Sequence, residues 1–335
     1  MRPTYITKNK DLITTVENLI NEWHSSTEYI YINTSGSTGT PKSIKLKKKH
    51  MIASAEATGK FLQLKPGNTA LLSMSPNTIG GTMMVIRSIV LGLNLVVTEV
   101  SSNPLADIGV HIDFAAMVPL QVKESLQKNK TELNELGTLI IGGGPINESL
   151  EQEILQLSPR VYHTYGMTET ISHIALRSIS NKDKFFKTLP HVQINSIESC
   201  LNITSEEIGV KDLQTNDIVE IIGSNRFIWL GRSDFAINSG GIKIIPSIVE
   251  SILSRIIKEN FISAGLNDET LGQKHVILVE TNKDLNFSRD DFKVLENYKR
   301  PKEIYLLQSF VRTESGKVDR KKTIGLISNA KKQVL

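Results

Sequence analysis

The chain has 335 residues, of which 39% are hydrophobic and 22% charged, values typical of a globular protein with a sizeable core. At roughly 100–200 residues per domain, this length is enough for two domains. The net charge is +4 and the pI about 8.9, which does not demand nucleic acid and suits an anionic small molecule. One cysteine, Cys200, excludes an intramolecular disulfide and fits a reducing compartment. There is no signal-peptide pattern, and the apolar stretch 82–97 is too short to span a bilayer, so we predict a cytoplasmic protein without membrane insertion.

The first half of the chain alternates between helical and strand patterns. Hydrophobic periodicity predicts helices over residues 11–24, 49–64 and 80–92, and strands over residues 29–33, 43–47, 70–73 and 94–99. Short apolar runs follow at 115–119, 138–142 and 160–164, separated by helix-like segments. This alternation predicts an α/β fold with layered, mostly parallel sheets and helices.

The pattern changes in the last third of the chain. Residues 218–230 read as short strands, Pro246 opens a helix that extends to about Lys258, and strands follow at 261–266 and 275–280. We therefore predict a large N-terminal domain over residues 1–233 and a small α+β C-terminal domain over residues 234–335.

The segment Thr34-Ser-Gly-Ser-Thr-Gly-Thr-Pro-Lys42 has the composition of a phosphate-binding loop. Its glycines allow unusual backbone angles, and its hydroxyls, free N–H groups and lysine can converge on phosphate oxygens. A P-loop requires glycine directly before the lysine, but Pro41 stands there and no helix pattern starts at Lys42. The loop is therefore of another kind.

A second polar segment, Tyr162-His-Thr-Tyr-Gly-Met-Thr-Glu169, follows an apolar strand. An aromatic ring beside a glycine can stack on a base, a hydroxyl can bond a phosphate, and a carboxylate can hold Mg²⁺. Two further polar segments follow turns. The first carries acidic residues and consists of Thr215-Asn-Asp217 with Gly231-Arg-Ser-Asp234 and Asn238-Ser-Gly-Gly241. The second carries a lysine and is Arg312-Thr-Glu-Ser-Gly-Lys317. Each alone is also compatible with core packing or a solvated surface.

These four segments, in this order, resemble the adenylate-forming superfamily of acyl- and aryl-CoA ligases, over about residues 34–321. The resemblance implies ATP, Mg²⁺ and CoA as cofactors and a carboxylic acid as substrate. It implies that Lys317, Thr168 and Glu169 are catalytic, with Glu169 holding the metal, and that Asp234 is a hinge between the two domains. It also implies a set of nucleotide- and CoA-binding residues: Thr34, Ser35, Gly36, Ser37, Thr38, Gly39, Lys42, Gly143, Gly144, Pro145, Tyr165, Gly166, Asp217, Arg232, Gly240 and Gly241.

Within the superfamily, the short length and the stretch Tyr165-Gly-Met-Thr-Glu-Thr-Ile-Ser-His173 most resemble the o-succinylbenzoate–CoA ligases of menaquinone synthesis, in a compact form. The phosphate loop begins much earlier in the chain than is usual. Asn216 replaces a glycine, Asn238 stands where lysine is common, and residues 75–81 lack a frequent histidine. The last of these departures concerns the acyl pocket and not the nucleotide site.

A keto-dicarboxylate needs a cation or amide donors for its second carboxylate. Arg87 and His173 are the candidates, and a structural role is an equal alternative for each. Three other functions stay open: a ligase for another aryl or fatty acid, an adenylation domain that loads a carrier protein, and a nucleotide-binding protein without catalysis. We expect no nucleic-acid partner, and an oligomer is possible.

Overall fold

The computed structural model describes residues 2–34, 42–313 and 318–335. Its α-helices are α1 (Lys10–His24), α2 (Lys48–Leu62), α3 (Ile79–Leu91), α4 (Pro119–Lys128), α5 (Lys130–Asn134), α6 (Glu148–Ile154), α7 (Pro246–Leu253) and α8 (Arg320–Ile324). The strands of its first half are β1 (Thr4–Tyr5), β2 (Tyr29–Thr34), β3 (Lys42–Lys47), β4 (Thr69–Leu72), β5 (Asn94–Val97), β6 (Phe114–Met117), β7 (Thr138–Ile141), β8 (Arg160–Gly166), β9 (His173–Ser178) and β10 (Phe186–Thr188). Those of its second half are β11 (Gln193–Ile197), β12 (Cys200–Ser205), β13 (Val210–Ile221), β14 (Arg226–Arg232), β15 (Ile237–Ser239), β16 (Ile242–Ile244), β17 (Asn260–Asp268), β18 (Gly272–Glu280), β19 (Glu303–Leu307) and β20 (Lys331–Val334).

A twelve-stranded sheet forms the body of the large unit, in the order β1-β5-β4-β6-β7-β8-β9-β10-β14-β13-β12-β11. Pairing is parallel from β1 to β8 and antiparallel from β8 to β11. The α/β prediction is confirmed, and the mostly parallel arrangement holds for the first half of the sheet. The second half is antiparallel because hairpin-like returns replace the helical crossovers after β8.

The parallel strands are buried on both faces, which explains their uninterrupted apolar sequences. In β4, Ala70 and Leu72 face a core shared with α1, α2 and α3, whereas Leu71 faces a second core on the other side. Helix α3 is buried over most of its surface, and Thr78 caps its N-terminus by accepting a hydrogen bond from the Gly81 N–H. Helices therefore cover both faces of this half.

A two-stranded antiparallel hairpin, β2–β3, packs on the first core through Ile30, Ile32 and Leu46. Its register pairs Thr34 with Lys42, so the two ends of the predicted phosphate loop lie side by side.

The second sheet has six strands, with the path β16-β15-β18-β19-β20 and with β17 on β18. Separate apolar clusters lie on its two faces, one of them containing Val249 and Leu253 of α7. Helix α7 ends at Leu253, before the predicted Lys258, because the chain turns there and buries Ile257. The change of sheet falls between Arg232 and Ile237, and the domain boundary near Asp234 stays a prediction.

Among the described residues, the contacts between the two units include a hydrogen bond and an ion pair. The Ser247 hydroxyl, in the first turn of α7, donates a hydrogen bond to the Leu230 carbonyl of β14. Farther out, Arg255 forms a two-pronged ion pair with Glu148 of α6, with N–O distances of 2.8 and 2.6 Å. Within the described part of the chain, no helix is long and apolar enough to cross a membrane.

Candidate active site

Two of the predicted segments of the large unit lie at the carboxyl ends of parallel strands, where open α/β sheets place their ligands. Residues 142–145 follow β7, and residues 165–169 end β8 and begin the turn beyond it. Asp217 and Arg232 come from the antiparallel half of the same sheet, on β13 and β14.

Tyr165 and Asp217 are in direct contact. The Tyr165 hydroxyl donates to Asp217 Oδ2 at 2.8 Å, and Trp229 Nε1 donates to Oδ1 of the same carboxylate at 2.9 Å. Burial, followed by the neighbouring carboxylate, raises the pKa of Tyr165 far above its ordinary value, so this hydroxyl remains a donor. Asp217 is 6% exposed, and its backbone N–H is bonded to the Thr215 hydroxyl. The carboxylate is thus fixed in orientation.

Arg232 is shared between two carboxylates. Its Nη1 lies 3.9 Å from Asp217 Oδ1, while its Nε and Nη2 each donate to Asp234 at 2.9 Å. The hydrogen bonds to Asp234 raise the pKa of the guanidinium, which stays charged. Asp217 and Arg232, which are predicted to bind the nucleotide, and the predicted hinge Asp234 therefore form one cluster with Tyr165.

The Tyr165 ring packs on an aromatic group at the same end of the sheet. Its centroid lies 5.1 Å from that of Phe227 and 6.0 Å from that of Phe186, edge-on to both rings. His163, two residues before Tyr165, contacts Phe186 and lies 3.1 Å from the Gly144 carbonyl through Nε2. Burial lowers the pKa of His163 to about 4, so the imidazole is neutral at pH 7 and Nε2–H is the donor to Gly144.

His163 therefore ties the turn at Gly143, Gly144 and Pro145 to the Tyr165 strand. Gly143 has a φ of +81°, and Pro145 is exposed. The sequence motif predicted this turn as part of the site, but it did not indicate His163.

Gly166 has a structural reason to be glycine. A Cβ placed there would lie 2.3 Å from the Ser172 carbonyl oxygen, where β9 returns across the end of β8. Thr168 and Glu169 follow in a 3₁₀ turn, Thr168–Thr170, and Glu169 is exposed. The described residues contain no cluster of three or more His, Cys, Asp or Glu side chains that could hold a metal ion. The exposed carboxylate of Glu169 still suits Mg²⁺, which binds one or two carboxylates together with substrate phosphates.

Arg87 and His173, the candidates for the acyl pocket, meet at Ser172. Arg87 Nη2 donates to Ser172 Oγ at 3.2 Å, and His173 Nδ1 lies 3.4 Å from the same oxygen. His173 Nε2 is 3.1 Å from the Thr58 hydroxyl, which donates to the Ser54 carbonyl and so accepts from Nε2–H. Nδ1 then accepts from Ser172, whose oxygen is left to accept from Arg87. His173 is buried and its pKa is lowered to about 3, so it is neutral.

Arg87 is a buried cation without an acidic partner in the described ranges 2–34, 42–313 and 318–335. It is 2% exposed, contacts the Phe114 ring at 5.7 Å, and leaves Nε without a hydrogen bond. Burial lowers the pKa of Arg87 to about 10, which still keeps it charged at pH 7. A buried charge without a partner is costly, so this position favours an anionic ligand.

Several predicted residues lie elsewhere or outside the described residues. Gly240 and Gly241 form the two-residue turn between β15 and β16, with φ values of +57° and +80°, as such hairpins require. Ser35, Gly36, Ser37, Thr38, Gly39 and Lys317 lie outside the described residues. Thr34 and Lys42 pair as the last and first residues of β2 and β3.

Besides His163, sequence reasoning missed Trp229, Ser172 and Thr58. Ser172 stands inside the motif that identified Tyr165 and His173, so its position was a usable signal. Trp229 and Thr58 lie in ordinary strand and helix patterns, and their roles depend on tertiary contacts.

Comparisons with known proteins identify the family of this chain. A curated relative, 2-succinylbenzoate–CoA ligase of Staphylococcus epidermidis, is 28% identical over 322 residues, which cover 86% of this chain and 68% of the relative. The crystal structure of an acyl-CoA synthetase (AMP-forming)/AMP-acid ligase II-like protein from Dyadobacter fermentans matches with 34% identity, a TM-score of 0.65, and coverage of 96% of this chain and 95% of that one.

The structure of Bacillus subtilis o-succinylbenzoate coenzyme A synthetase in complex with ATP and magnesium matches with a TM-score of 0.78 and 21% identity, over 88% of this chain and 69% of that one. The model of the AMP-binding enzyme family matches residues 6–218, which include Tyr165 and Asp217. The resemblance seen in the sequence is thereby confirmed, and the chain belongs to the AMP-binding enzyme family.

Proposed function

We propose that this protein is an AMP-forming acid–CoA ligase and that its acid is o-succinylbenzoate. The observation that carries the nucleotide part is the meeting of Tyr165, Asp217 and Arg232, although the first two are 52 positions apart in sequence. A fixed carboxylate suits the two hydroxyls of a ribose, and an aromatic ring beside it suits the attached base.

The choice of acid follows from Arg87. A second carboxylate on the substrate would supply the anion that this buried guanidinium lacks among the described residues. A fatty acid has no such group, so Arg87 disfavours that alternative. The curated relatives named 2-succinylbenzoate–CoA ligases give independent support for the same acid.

In the first half-reaction, a carboxylate oxygen of the acid bonds to the α-phosphorus of ATP. The bond from that phosphorus to the bridging oxygen breaks, and pyrophosphate leaves with the electron pair. The Thr168 hydroxyl and Lys317 stabilise charge on the phosphate oxygens, as positioned donors do in such transfers. Glu169 would hold Mg²⁺, which when bound neutralises phosphate charge.

In the second half-reaction, the sulfur of CoA attacks the acyl carbonyl, AMP leaves, and the thiol proton is released. The small domain would turn about Asp234 between the two steps, which would withdraw Lys317 and bring the hairpin at Gly240 and Gly241 to the acyl group.

The residues 34–42 would bind the β- and γ-phosphates. The cytoplasmic location, the absence of a nucleic-acid partner and the oligomeric state stay predictions.

The direct test is incubation with ATP, Mg²⁺, CoA and o-succinylbenzoate, with detection of AMP and of the thioester by mass spectrometry. A panel of aryl and fatty acids in an ATP–pyrophosphate exchange assay distinguishes the acids, and a carrier protein in place of CoA tests the carrier-loading alternative. If none of the acids in the panel supports ATP–pyrophosphate exchange, catalysis of this kind is refuted.

Lys317→Ala tests the two-conformation mechanism. We expect it to abolish adenylate formation and to leave thioester formation from pre-made acyl-adenylate largely intact. Equal loss of both half-reactions would contradict the proposed domain rotation.

A further inference from the structure

The six residues from Met167 to Ser172, here called the 167–172 loop, connect the nucleotide side of the site to the acyl side. Thr168 and Glu169 lie in its first turn, and Ser172 at its end accepts the hydrogen bond from Arg87. Anything that fixes the shape of this loop therefore sets the distance between the two half-sites.

Thr170 is the centre of the loop and is fully buried, with 0% exposure. Its hydroxyl oxygen accepts from the Met167 N–H at 2.9 Å. Its single proton lies within reach of two carbonyl oxygens, that of Met167 at 3.0 Å and that of Ser172 at 2.8 Å. One hydroxyl thus joins the first and last residues of the loop.

The backbone next to Thr170 is strained. Ile171, a buried β-branched residue, has φ +67° and ψ −48°, and the Ser172 N–H bonds back to the Thr170 carbonyl at 2.7 Å. This is the geometry of a classic γ-turn, which is rare and costly for such a residue. Strain of this kind persists only where surrounding contacts over-determine it. Here the contacts that hold the turn include the hydrogen bond from the Thr170 hydroxyl to the Ser172 carbonyl, whose oxygen packs directly against Gly166.

We propose that Thr170 is a positioning residue for adenylate formation, whose hydroxyl holds Thr168 and Glu169 in register with Ser172 and Arg87. The inference rests on the proposed function, because it concerns the transfer between the acid and the α-phosphate. Thr170 needs no contact with either substrate. The loss of its hydroxyl would let the loop relax, and misplacement of reacting groups by about 1 Å can reduce a rate by roughly 100-fold.

The role of the hydroxyl can be separated from the role of packing. Thr170→Val keeps the volume and removes every side-chain hydrogen bond, leaving the Met167 N–H without its acceptor. Thr170→Ser keeps the hydroxyl and removes only a methyl group. Thr138→Val is the matched control, because Thr138 is also buried, at 1% exposure, and its hydroxyl accepts from Arg160 at the amino end of β7, away from the site.

The experiment is ATP–pyrophosphate exchange with o-succinylbenzoate, with kcat and the KM for ATP measured separately. We expect Thr170→Val to lower kcat about 10- to 100-fold with the KM for ATP within about twofold, since Tyr165 and Asp217 lie outside the loop. Thr170→Ser should retain kcat within about threefold of the wild type. Backbone hydrogen exchange of the 167–172 loop should be faster in Thr170→Val than in the wild type, which reports loosening without reference to activity.

The inference is wrong if Thr170→Val keeps the wild-type kcat, or if Thr138→Val loses as much kcat as Thr170→Val does. If Thr170→Val does not fold, Thr170→Ala removes the same hydroxyl without placing a methyl group against the Met167 and Ser172 carbonyl oxygens, and the same comparison with Thr170→Ser decides. A wild-type protein without exchange activity overturns the proposed function and this inference together, whereas an active wild type with an unaffected Thr170→Val overturns this inference alone.

Discussion

Two buried arginines differ in one respect that can be measured. Arg177 forms a two-pronged ion pair with Glu151 at 2.9 and 2.6 Å, whereas Arg87 has no carboxylate partner among the described residues. Replacing Arg87 by methionine keeps an unbranched side chain of comparable reach and removes the charge. We expect this variant to be more stable than the wild type in the absence of ligand, and defective with the acid.

The size of the effect follows from the pKa of Arg87, which burial lowers from 12.5 to about 10. At 1.36 kcal/mol per unit, this shift corresponds to an unfavourable term of about 3 kcal/mol for the charged form. Loss of the hydrogen bond to Ser172 costs about 1 kcal/mol in the opposite direction. The free energy of unfolding should therefore rise by about 2 kcal/mol in Arg87→Met.

The same substitution should weaken acid binding. A charge-assisted bond to a carboxylate contributes about 1.5–3 kcal/mol, so the KM for o-succinylbenzoate should rise roughly 10- to 100-fold. Urea unfolding and ATP–pyrophosphate exchange measure the two effects on the same preparations. Arg177→Met is the control, and it should be destabilised by about 3 kcal/mol because it leaves the half-buried Glu151 carboxylate without its partner.

The reasoning is refuted if Arg87→Met is destabilised as strongly as Arg177→Met, since Arg87 would then contribute to the fold like any paired arginine. It is also refuted if Arg87→Met uses o-succinylbenzoate with an unchanged KM.

Three further predictions concern other parts of the molecule. Asp217→Asn replaces the carboxylate that Tyr165 and Trp229 orient by a neutral amide, so the KM for ATP in the exchange assay should rise about tenfold. Arg255→Gln breaks the exposed ion pair with Glu148, which joins the small unit to the large one. Because an exposed pair contributes little, the ratio of the two half-reaction rates should change by less than about fivefold, and this change should vanish in high salt. The neutral buried imidazoles of His163 and His275 have pKa values lowered to about 4. Because the unfolded chain takes up these protons near pH 6.5, the free energy of unfolding should fall between pH 6.5 and 4, by up to about 3 kcal/mol per histidine. Urea unfolding across this window should show that the free energy of unfolding of His163→Gln depends less steeply on pH than that of the wild type.

The parallel half of the large sheet could be predicted from the sequence because its pattern is local. Uninterrupted apolar runs such as Thr138–Ile141 are what a strand buried on both faces needs, and the helices between them have clear periodicity. The antiparallel half was less readable. β13 is a single strand of 12 residues, Val210–Ile221, in a region that we expected to contain only short strands from residue 218 on. Its alternation is broken by register shifts against its neighbours.

The site could be predicted as a set of residues but not as a set of contacts. Tyr165 on β8 and Asp217 on β13 are separated by three strands in the sheet order. Four spacings of about 4.8 Å would place the two strands about 19 Å apart in a flat sheet. Their direct hydrogen bond therefore requires a strongly curled sheet, which no local sequence pattern specifies.

The acyl side shows the same limit. Arg87 and His173 were identified as candidates, but nothing in the sequence indicated that they share Ser172 or that His173 acts through it. The pairing depends on how α3 packs against the start of β9, which is a property of the whole core.

Arg232 has one guanidinium for two tasks. In the present arrangement its Nε and Nη2 are occupied by Asp234, and only Nη1 faces Asp217, at 3.9 Å. A ribose that recruits the occupied nitrogens has to displace the Asp234 carboxylate, at the point where the chain passes from one sheet to the other. Under the proposed function, nucleotide binding and the release of Asp234 from Arg232 are therefore coupled. A change that frees Asp234 should tighten nucleotide binding by the same factor by which the bound nucleotide favours the free Asp234 carboxylate.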